Sequence, residues 1–347
     1  MPQILDEVCE KAARRRIPLT VHLDLTWRCN AHCIHCYLPD HGAGEMATAQ
    51  VLRLIEELAG AGTLFLLISG GEALLRPDLF EIIERARALS FAVVLKTNGT
   101  LIDDQAAGRL AGLNLYRLDV SLYSHRAEVH DAITRLAGSW RRSVRAIQRL
   151  TAAGLKVRVV NVLMKANTGD EAALHEFARS LGASYTLDPT VTPRLDGDRT
   201  VTSLGLGLDE LRSAFSEPFL AGVIRDLCEA DGLPQAVRDS LLCSAGHYSC
   251  YVSPWGELFP CIQLPLSCGN VCEPGFKQAW GSQDMEAIRS LRFNDLKDCK
   301  GCALLATCTR CPGLALMEGD LAGKSTLDCL KATALASVRV PARDLGL

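Results

Sequence analysis

The sequence predicts an α/β protein, in which a partial barrel of six β/α units is followed by a cysteine-rich appendage. Strand-like apolar runs alternate with helical patterns up to about residue 205, and this alternation is typical of a parallel sheet covered by helices. Beyond that point the alternation stops and cysteines become dense. We therefore expect a lead segment (1–18), the barrel core (19–205), connecting helices (206–240) and a cysteine-rich domain (241–347).

The six predicted strands are short and mostly rich in branched apolar residues, as buried parallel strands are. The first is marked by the alternation of Val21, Leu23, Leu25 and Trp27. The other five are predicted over residues 63–69, 91–96, 116–122, 156–163 and 184–188.

Helical patterns lie between these strands, for example over residues 48–59, 78–89, 139–153 and 170–181. Gly60, Gly154 and Gly182 follow three of them, at positions where helices commonly end. The spacing of strand and helix thus predicts β/α units with right-handed crossovers.

The composition excludes several classes of protein. Apolar residues make up 48% of the 347 residues, charged residues 22%, and the net charge is only −3, which is ordinary for a globular protein and gives no basic field for nucleic acid. The longest apolar runs are far shorter than the roughly 20 residues that cross a bilayer. We expect neither a nucleic-acid partner nor a membrane span.

The N-terminal residues lack the basic-then-apolar profile of a secretory signal. We therefore expect a cytoplasmic protein. Fifteen cysteines in a reducing compartment favour metal ligation over a disulfide framework, because the thiols stay available there.

Three cysteines, Cys29, Cys33 and Cys36, directly follow the first predicted strand. Three thiolates leave one metal of a four-metal cluster without a protein ligand, and an open metal position is where chemistry takes place. A zinc site, a redox-active pair and buried thiols that only fill space are the alternatives.

The stretch from Leu25 to Tyr37 resembles the signature of radical S-adenosylmethionine (radical SAM) enzymes. The resemblance implies a 4Fe-4S cluster held by these three cysteines, with SAM bound to the unique iron through its amino and carboxylate groups. It also implies that one electron cleaves SAM to methionine and a 5'-deoxyadenosyl radical.

Small and polar residues close the next strands, where parallel barrels have their active sites. Gly70 and Gly71 would let the backbone approach a ligand closely, and Glu72 is an acceptor for an ammonium group. A plain turn is the alternative interpretation. The resemblance implies that this Gly-Gly-Glu contacts the amino group of SAM, and that Asn98 and Ser121 contact its ribose and methionine portions.

The candidate clamp for the SAM carboxylate is Arg135. Many radical SAM relatives have an arginine four residues after the position of His130, where this chain has Thr134. Arg135 follows directly, and a solvated helix residue is the alternative. Asn161 and Asp188, near the ends of strands five and six, are weaker candidates for the pocket, and Asp188 is also placed to cap a loop.

The C-terminal region has few long apolar periods, so metal cross-links would supply much of its order. Its eight regularly placed thiols suffice for two fully ligated clusters, and a pair of zinc sites is the alternative. They are Cys243, Cys250, Cys261, Cys299, Cys302, Cys308, Cys311 and Cys329.

This pattern, with Gly256 before Cys261, resembles the SPASM domain of some radical SAM enzymes, which carries two auxiliary 4Fe-4S clusters. One departure is that only two residues separate Cys308 from Cys311, where many relatives have three. Cys9, Cys228, Cys268 and Cys272 are left over, and the last two are alternative ligands. The resemblance assigns Cys243, Cys250, Cys261 and Cys311 to the first cluster, and Cys299, Cys302, Cys308 and Cys329 to the second.

We therefore predict a maturase, similar to the pyrroloquinoline quinone enzymes, that removes a substrate hydrogen and so oxidises or cross-links a ribosomally made peptide. Removal of a tetrapyrrole side chain in haem synthesis is one alternative, and a multi-cluster electron-transfer protein is another. Formylglycine formation is disfavoured because Ile262, rather than an aspartate, follows Cys261. No catalytic base is assigned. Residues available for substrate contact, though more typical of structural roles, are Tyr123, His125, His130 and Tyr248.

Two kinds of partner are expected besides the peptide. About twenty residues precede the first strand, fewer than the ~50 of an independent domain, so leader recognition would need a separate chaperone. The electron donor is expected to be a flavodoxin or ferredoxin.

Overall fold

The computed structural model describes residues 2–39, 44–220 and 242–338. Its strands form one sheet in the order β6-β5-β4-β3-β2-β1-β7-β8. The strands are β1 Thr20–Thr26, β2 Phe65–Gly70, β3 Ala92–Thr97, β4 Arg117–Ser121, β5 Val157–Val162, β6 Ser184–Asp188, β7 Ser249–Val252 and β8 Leu258–Phe259.

Helices connect the first six strands and continue into the C-terminal region. They are α1 Pro2–Arg15, α2 Thr48–Gly60, α3 Leu79–Ala88, α4 Asp104–Gly112, α5 Ala127–Thr134, α6 Ser139–Ala152, α7 Glu171–Ser180, α8 Leu208–Phe215, α9 Phe276–Trp280, α10 Gln283–Ser290, α11 Pro312–Met317 and α12 Thr326–Val338.

Strands β1 to β6 pair in sequence order, and every pair is parallel. All six lie where the sequence predicts them, to within a few residues, so the predicted partial barrel is confirmed. The alternation of β1 places Val21, Leu23 and Leu25 in the core with no exposure to solvent. Parallel pairing brings the carboxyl ends of the strands to one edge, which is where the predicted site residues lie.

The C-terminal domain extends the same sheet, which the sequence did not predict. Strand β7 lies parallel to β1, with Val21 opposite Cys250. Across this junction the Tyr251 hydroxyl donates to Oδ2 of Asp24 at 2.9 Å. Cys250, Phe276 and the residues around them belong to the same hydrophobic core as the barrel strands. The two regions therefore share one core.

A second contact joins the regions through helices. Leu211 and Phe215 of α8 pack with Ala334 and Leu335 of α12, the helix that also carries Cys329. Helix α8 falls in the predicted connecting segment, and residues 221–241 of that segment lie outside the described residues. Within the described ranges, no helix combines the length and apolar character needed to span a bilayer.

Candidate active site

The carboxyl ends of β1 to β5 surround a cavity of about 470 Å³. Parallel strands place side chains from distant parts of the chain around one opening, so this edge can assemble a ligand site. The cavity is lined by eight of the nine barrel residues that the sequence singles out most strongly, which are Cys29, Cys33, Cys36, Gly70, Gly71, Asn98, Ser121 and Arg135.

The three cysteines lie on a loop that is held by its backbone. His32 and Ile34 donate their N–H groups to the carbonyls of Thr134 and Ile133, at 3.0 and 2.9 Å. The N–H of Cys36 bonds to the carbonyl of Cys33 at 3.1 Å. The loop is thus anchored to the end of α5, and its thiols are presented to the cavity.

The electrostatics of these thiols suit a bound metal cluster. Burial, reinforced by the charges of Cys36 and Cys29, raises the pKa of Cys33 to about 12, and burial also raises the pKa of Cys29 and Cys36. Three buried thiolates repel one another unless a cation compensates their charge, and iron supplies that charge.

Among the described residues, no three His, Cys, Asp or Glu side chains converge closely enough to share a single metal ion. The ligands of an iron-sulfur cluster need not converge on one point, because each thiolate binds a different iron. The three cysteines around the cavity fit that donor set.

Gly70 and Gly71 allow two backbone segments to touch. A Cβ on Gly70, whose φ is +139°, would lie 2.0 Å from the carbonyl oxygen of Thr26. A Cβ on Gly71 would lie 2.4 Å from the carbonyl oxygens of Trp27 and Arg28. The end of β2 therefore packs directly against the start of the cysteine loop. Close approach of a ligand to the same glycines stays a prediction.

Glu72 lies behind the cavity wall and is 1% exposed. Its carboxylate accepts hydrogen bonds from Thr97 Oγ1 at 2.8 Å, Asn98 N at 2.8 Å and Leu74 N at 3.1 Å. Burial raises its pKa, against the lowering effect of these bonds. The carboxylate ties the end of β2 to the end of β3, which differs from the expected open acceptor, and its contact with an ammonium group stays a prediction.

Asn98 and Ser121 present polar groups to the cavity. The Asn98 side chain donates to Oδ1 of Asn30 at 2.8 Å and accepts from the N–H of Thr100 at 2.8 Å. Ser121 is hydrogen-bonded to the buried Tyr123. His130 is 1% exposed and accepts from the N–H of Tyr123 at 3.1 Å, so this histidine has a structural role.

Arg135 reaches the cavity although it stands one position later than the arginine of many relatives. It ends α5 in a left-handed conformation, with φ 49° and ψ 36°, and it is exposed. Thr134 is buried and its hydroxyl lies 2.7 Å from that of Ser139. The left-handed turn therefore directs the following residue, and not Thr134, to the cavity.

Sequence reasoning missed two cations in the cavity lining, Lys96 and Arg194. The acidic residue that lines the cavity with them is Asp119, which is already bound by Arg117 and Arg158 at 2.7 and 2.6 Å. The cavity thus has an excess of positive charge. Lys96 is the last residue but one of β3 and stands two positions before the predicted Asn98, a signal that could have found it, whereas Arg194 lies on a loop without periodicity.

The two weaker candidates lie apart from this lining. Asn161 is buried, donates to the hydroxyl of Tyr185 at 3.1 Å and accepts from Asn167 at 2.9 Å. Asp188 accepts from the N–H of Thr190 at 2.9 Å, which is the loop cap that the sequence offers as its other role.

The first set of C-terminal thiols surrounds the junction with the barrel. Cys250 lies on β7, and the charges of Cys311 and Cys243 add to burial in raising the pKa of Cys261 to about 11. The chain folds tightly here, because a Cβ on Gly313 would lie 1.8 Å from the carbonyl oxygen of Gln263. The structure brings the predicted ligands Cys243, Cys250, Cys261 and Cys311 into one neighbourhood.

The second set lines a separate cavity of about 300 Å³ together with leucine side chains and Arg310. Five thiols line it. Four are those that the sequence assigns to the second cluster, namely Cys299, Cys302, Cys308 and Cys329, and the fifth is Cys243, which the sequence assigns to the first.

The two alternative ligands differ in position. Cys268 is 1% exposed and close enough to Cys250 to raise the pKa of that thiol. Cys272 instead lies beside Arg53 and Glu57 of α2. Only Cys268 therefore borders the first set of thiols. Cys228 lies outside the described residues.

Comparison with known families gives two matches. Residues 24–178 match the model of the radical SAM superfamily, and residues 243–312 match SPASM, an iron-sulfur cluster-binding domain.

Three known proteins illustrate the similarity. The chain is 32% identical to mycofactocin maturase MftC of Mycobacterium tuberculosis, over 79% of this chain and 73% of that protein. It is 28% identical to the AdoMet-dependent heme synthase of Methanosarcina barkeri, over 86% and 92% of the two chains. The crystal structure of Streptococcus suis SuiB bound to precursor peptide SuiA matches with a TM-score of 0.74 at 17% identity, covering 92% of this chain and 78% of SuiB, which shows a shared fold.

Proposed function

We propose a function for this chain on one premise. The chain belongs to the radical SAM superfamily and carries a SPASM domain, so it is an enzyme whose cofactors are SAM and 4Fe-4S clusters. We propose that it is a maturase that oxidises or cross-links a ribosomally made peptide. The observation that supports this most is the single cavity on which three cysteines, the Gly-Gly strand end and three polar side chains converge.

Cys29, Cys33 and Cys36 would hold the cluster that binds SAM, and Arg135 and Ser121 would orient the methionine part of SAM. The bound cofactors supply one-electron cleavage of SAM to methionine and a 5'-deoxyadenosyl radical. The chain itself would place the substrate, exclude water and fix the cysteine loop. The contacts of Gly70 and Gly71 with the residues at the end of β1 fix the loop.

The two C-terminal thiol sites would hold the auxiliary clusters. When a substrate loses a hydrogen atom to the adenosyl group and then one electron and one proton, it has undergone a two-electron oxidation. The C-terminal clusters would accept that electron. An external electron donor of the flavodoxin or ferredoxin type would supply the electron that cleaves SAM.

The excess positive charge of the cavity supports an acidic substrate group. Arg135 would be taken by the SAM carboxylate, which leaves Lys96 and also Arg194, although Arg194 lies 3.6 Å from the exposed carboxylate of Asp196. A carboxylate of the peptide, either a side chain or the C-terminus, would satisfy them.

A tetrapyrrole is the second candidate substrate. It is favoured by the similarity to the heme synthase over 92% of that protein and by the same cations, because tetrapyrroles carry carboxylate side chains. A non-enzymatic electron carrier does not account for the polar cavity at the strand ends.

The decisive experiment is anaerobic reduction of the reconstituted protein with SAM, followed by measurement of 5'-deoxyadenosine. Release in the wild type but not in Cys33→Ala supports the radical SAM reaction. A wild type with full iron content and no release would favour an electron carrier. The two candidate substrates are separated by comparing the stimulation of 5'-deoxyadenosine release by a candidate precursor peptide with the stimulation by a porphyrin that carries carboxylate side chains.

The remaining partners are also proposals. A separate chaperone would present the leader of the peptide, and pull-down with a candidate small partner tests this; full turnover without any partner would count against it. A cytoplasmic location is a proposal as well, because a reducing compartment keeps thiols available to bind iron.

A further inference from the structure

Arg310 lies between the two C-terminal thiol sites. It separates Cys308, which lines the second site, from Cys311, which belongs to the first. Its guanidinium is held by the loop before α12, because Nε and Nη2 donate to the carbonyl oxygen of Gly323 at 3.1 and 2.7 Å. Nη2 also donates to the carbonyl oxygen of Leu321 at 2.5 Å.

One nitrogen of this guanidinium forms no hydrogen bond with the described residues. Nη1 of Arg310 is buried and has no hydrogen-bond partner among the described residues, although a buried N–H group without an acceptor destabilises a protein. Arg310 lines the second thiol cavity together with Cys299 and Cys302. An acceptor that occupies this cavity would satisfy the nitrogen, and the sulfur atoms of an iron-sulfur cluster are such acceptors.

The charge of Arg310 is also uncompensated. The buried carboxylate near the same thiols is Asp328, whose Oδ1 lies 2.9 Å from Nζ of Lys331 and whose Oδ2 accepts from the N–H of Cys311 at 2.8 Å. In the described part of the chain no carboxylate forms an ion pair with Arg310. Asp298 near Cys299 and Lys324 near Cys329 are both exposed to solvent, whereas the guanidinium of Arg310 lines the cavity of the second site itself.

We propose that Arg310 raises the reduction potential of the cluster held by Cys299, Cys302, Cys308 and Cys329, through its buried charge and a hydrogen bond from Nη1 to a cluster sulfur. A 4Fe-4S cluster with four thiolates is anionic and gains a further negative charge when it accepts one electron. A fixed cation in a poorly solvated cavity stabilises that reduced form. Arg310 thereby favours reduction of the second cluster by the electron that the substrate loses. This inference rests on the cluster occupancy of the proposed function.

The test is redox titration of the anaerobically reconstituted full chain, followed by electron paramagnetic resonance. The signal of the second site is the one that disappears in Cys302→Ala. In Arg310→Met we expect the reduced fraction of this site to fall at least tenfold relative to the oxidised fraction at the wild-type midpoint, which corresponds to 59 mV for one electron. Arg310→Lys should shift the reduction potential less, because lysine keeps the positive charge but lacks the planar guanidinium with its several N–H donors.

Lys297→Met is the matched control, since it removes an exposed cation of the same domain that pairs with Asp320 at 2.7 Å. It should leave the potential unchanged. An unchanged potential in Arg310→Met, with wild-type iron content, overturns the inference. If Arg310→Met does not retain iron, Arg310→Gln, which also removes the charge, decides in the same way. A wild type that holds no iron at the second site would instead contradict the cofactor assignment, so the two failures are distinguishable.

Discussion

The barrel cavity and the second C-terminal thiol site differ in how much of their lining is left for a ligand. The barrel cavity offers three thiols among glycines, amides, hydroxyls and cations, in about 470 Å³. The C-terminal cavity offers the four thiols assigned to the second cluster and also Cys243 of the first set, mostly among leucines, in about 300 Å³. Four thiols complete the ligand set of a cluster, whereas three leave one iron open. The comparison shows how one kind of metal group can serve chemistry in one region and electron transfer in the other.

Removing one thiol from each region tests this difference, and we expect the largest effect here. Cys33→Ala should reduce 5'-deoxyadenosine release to background and lower iron content by about one third, because one of three clusters is lost. Cys302→Ala should keep SAM cleavage but abolish the oxidised product. Equal loss of SAM cleavage in both variants would contradict the division of roles.

A methyl group at the tightest contact of the barrel site should destabilise it. We expect Gly70→Ala to lower the free energy of unfolding by roughly 4 kcal/mol, because a Cβ there would overlap the Thr26 carbonyl oxygen in a backbone conformation that disfavours alanine. Chemical denaturation measures this.

Gly108→Ala in α4 is the control, since nothing lies within 4 Å of its Cβ position. It should stabilise the protein by about 0.5–1 kcal/mol. Equal stabilities of the two alanine variants would mean that the strand end and the cysteine loop do not touch.

Buried histidines in the two regions should respond to pH together. Burial lowers the pKa of His130 from 6.5 to about 4, so the unfolded chain binds a proton between these values and the folded chain does not. The resulting stability, about 3 kcal/mol, is present above pH 6.5 and is lost as the pH falls towards 4. Urea unfolding of His130→Asn should show a weaker pH dependence in this window.

His247 of the C-terminal domain has its pKa lowered to about 4 by burial and by Arg292 and Arg289. Because the two regions share one core, His247→Asn should alter the same unfolding transition as His130→Asn. Two separate transitions, each altered by one variant, would show that the regions unfold independently.

The smallest expected effect concerns the guanidinium at the end of α5. Arg135→Gln should weaken SAM binding about tenfold, the loss of one charge-assisted hydrogen bond at an exposed position, and should leave the C-terminal clusters intact. Isothermal titration measures the affinity. Arg141→Gln, an exposed arginine of α6, is the matched control, and an equal loss there would remove Arg135 from the site.

The sequence was sufficient for the six core strands, because apolar runs with β-branched residues and helical periods between them are local signals. Strand β7 was not predicted, since its four residues show little periodicity and its partner lies more than 200 positions earlier. The assignment of the C-terminal thiols to two clusters came from the resemblance to SPASM domains and stays a prediction. The inward orientation of Glu72 could not be predicted, because Thr97 and Asn98, which bind its carboxylate, are distant in sequence. Arg194 and Arg310 could not be singled out from the sequence, because each lies on a loop whose course is set by distant contacts and not by a local pattern.

The pairing of β7 with β1 limits how this protein can be dissected. A fragment ending near residue 205 would leave the whole length of β1 as an unpaired edge, and such edges recruit other chains. The tail consequently covers the β1 edge of the sheet as well as carrying thiols. Chimaeras that exchange tails between related enzymes should keep the β7 segment of the recipient, with the graft point beyond it.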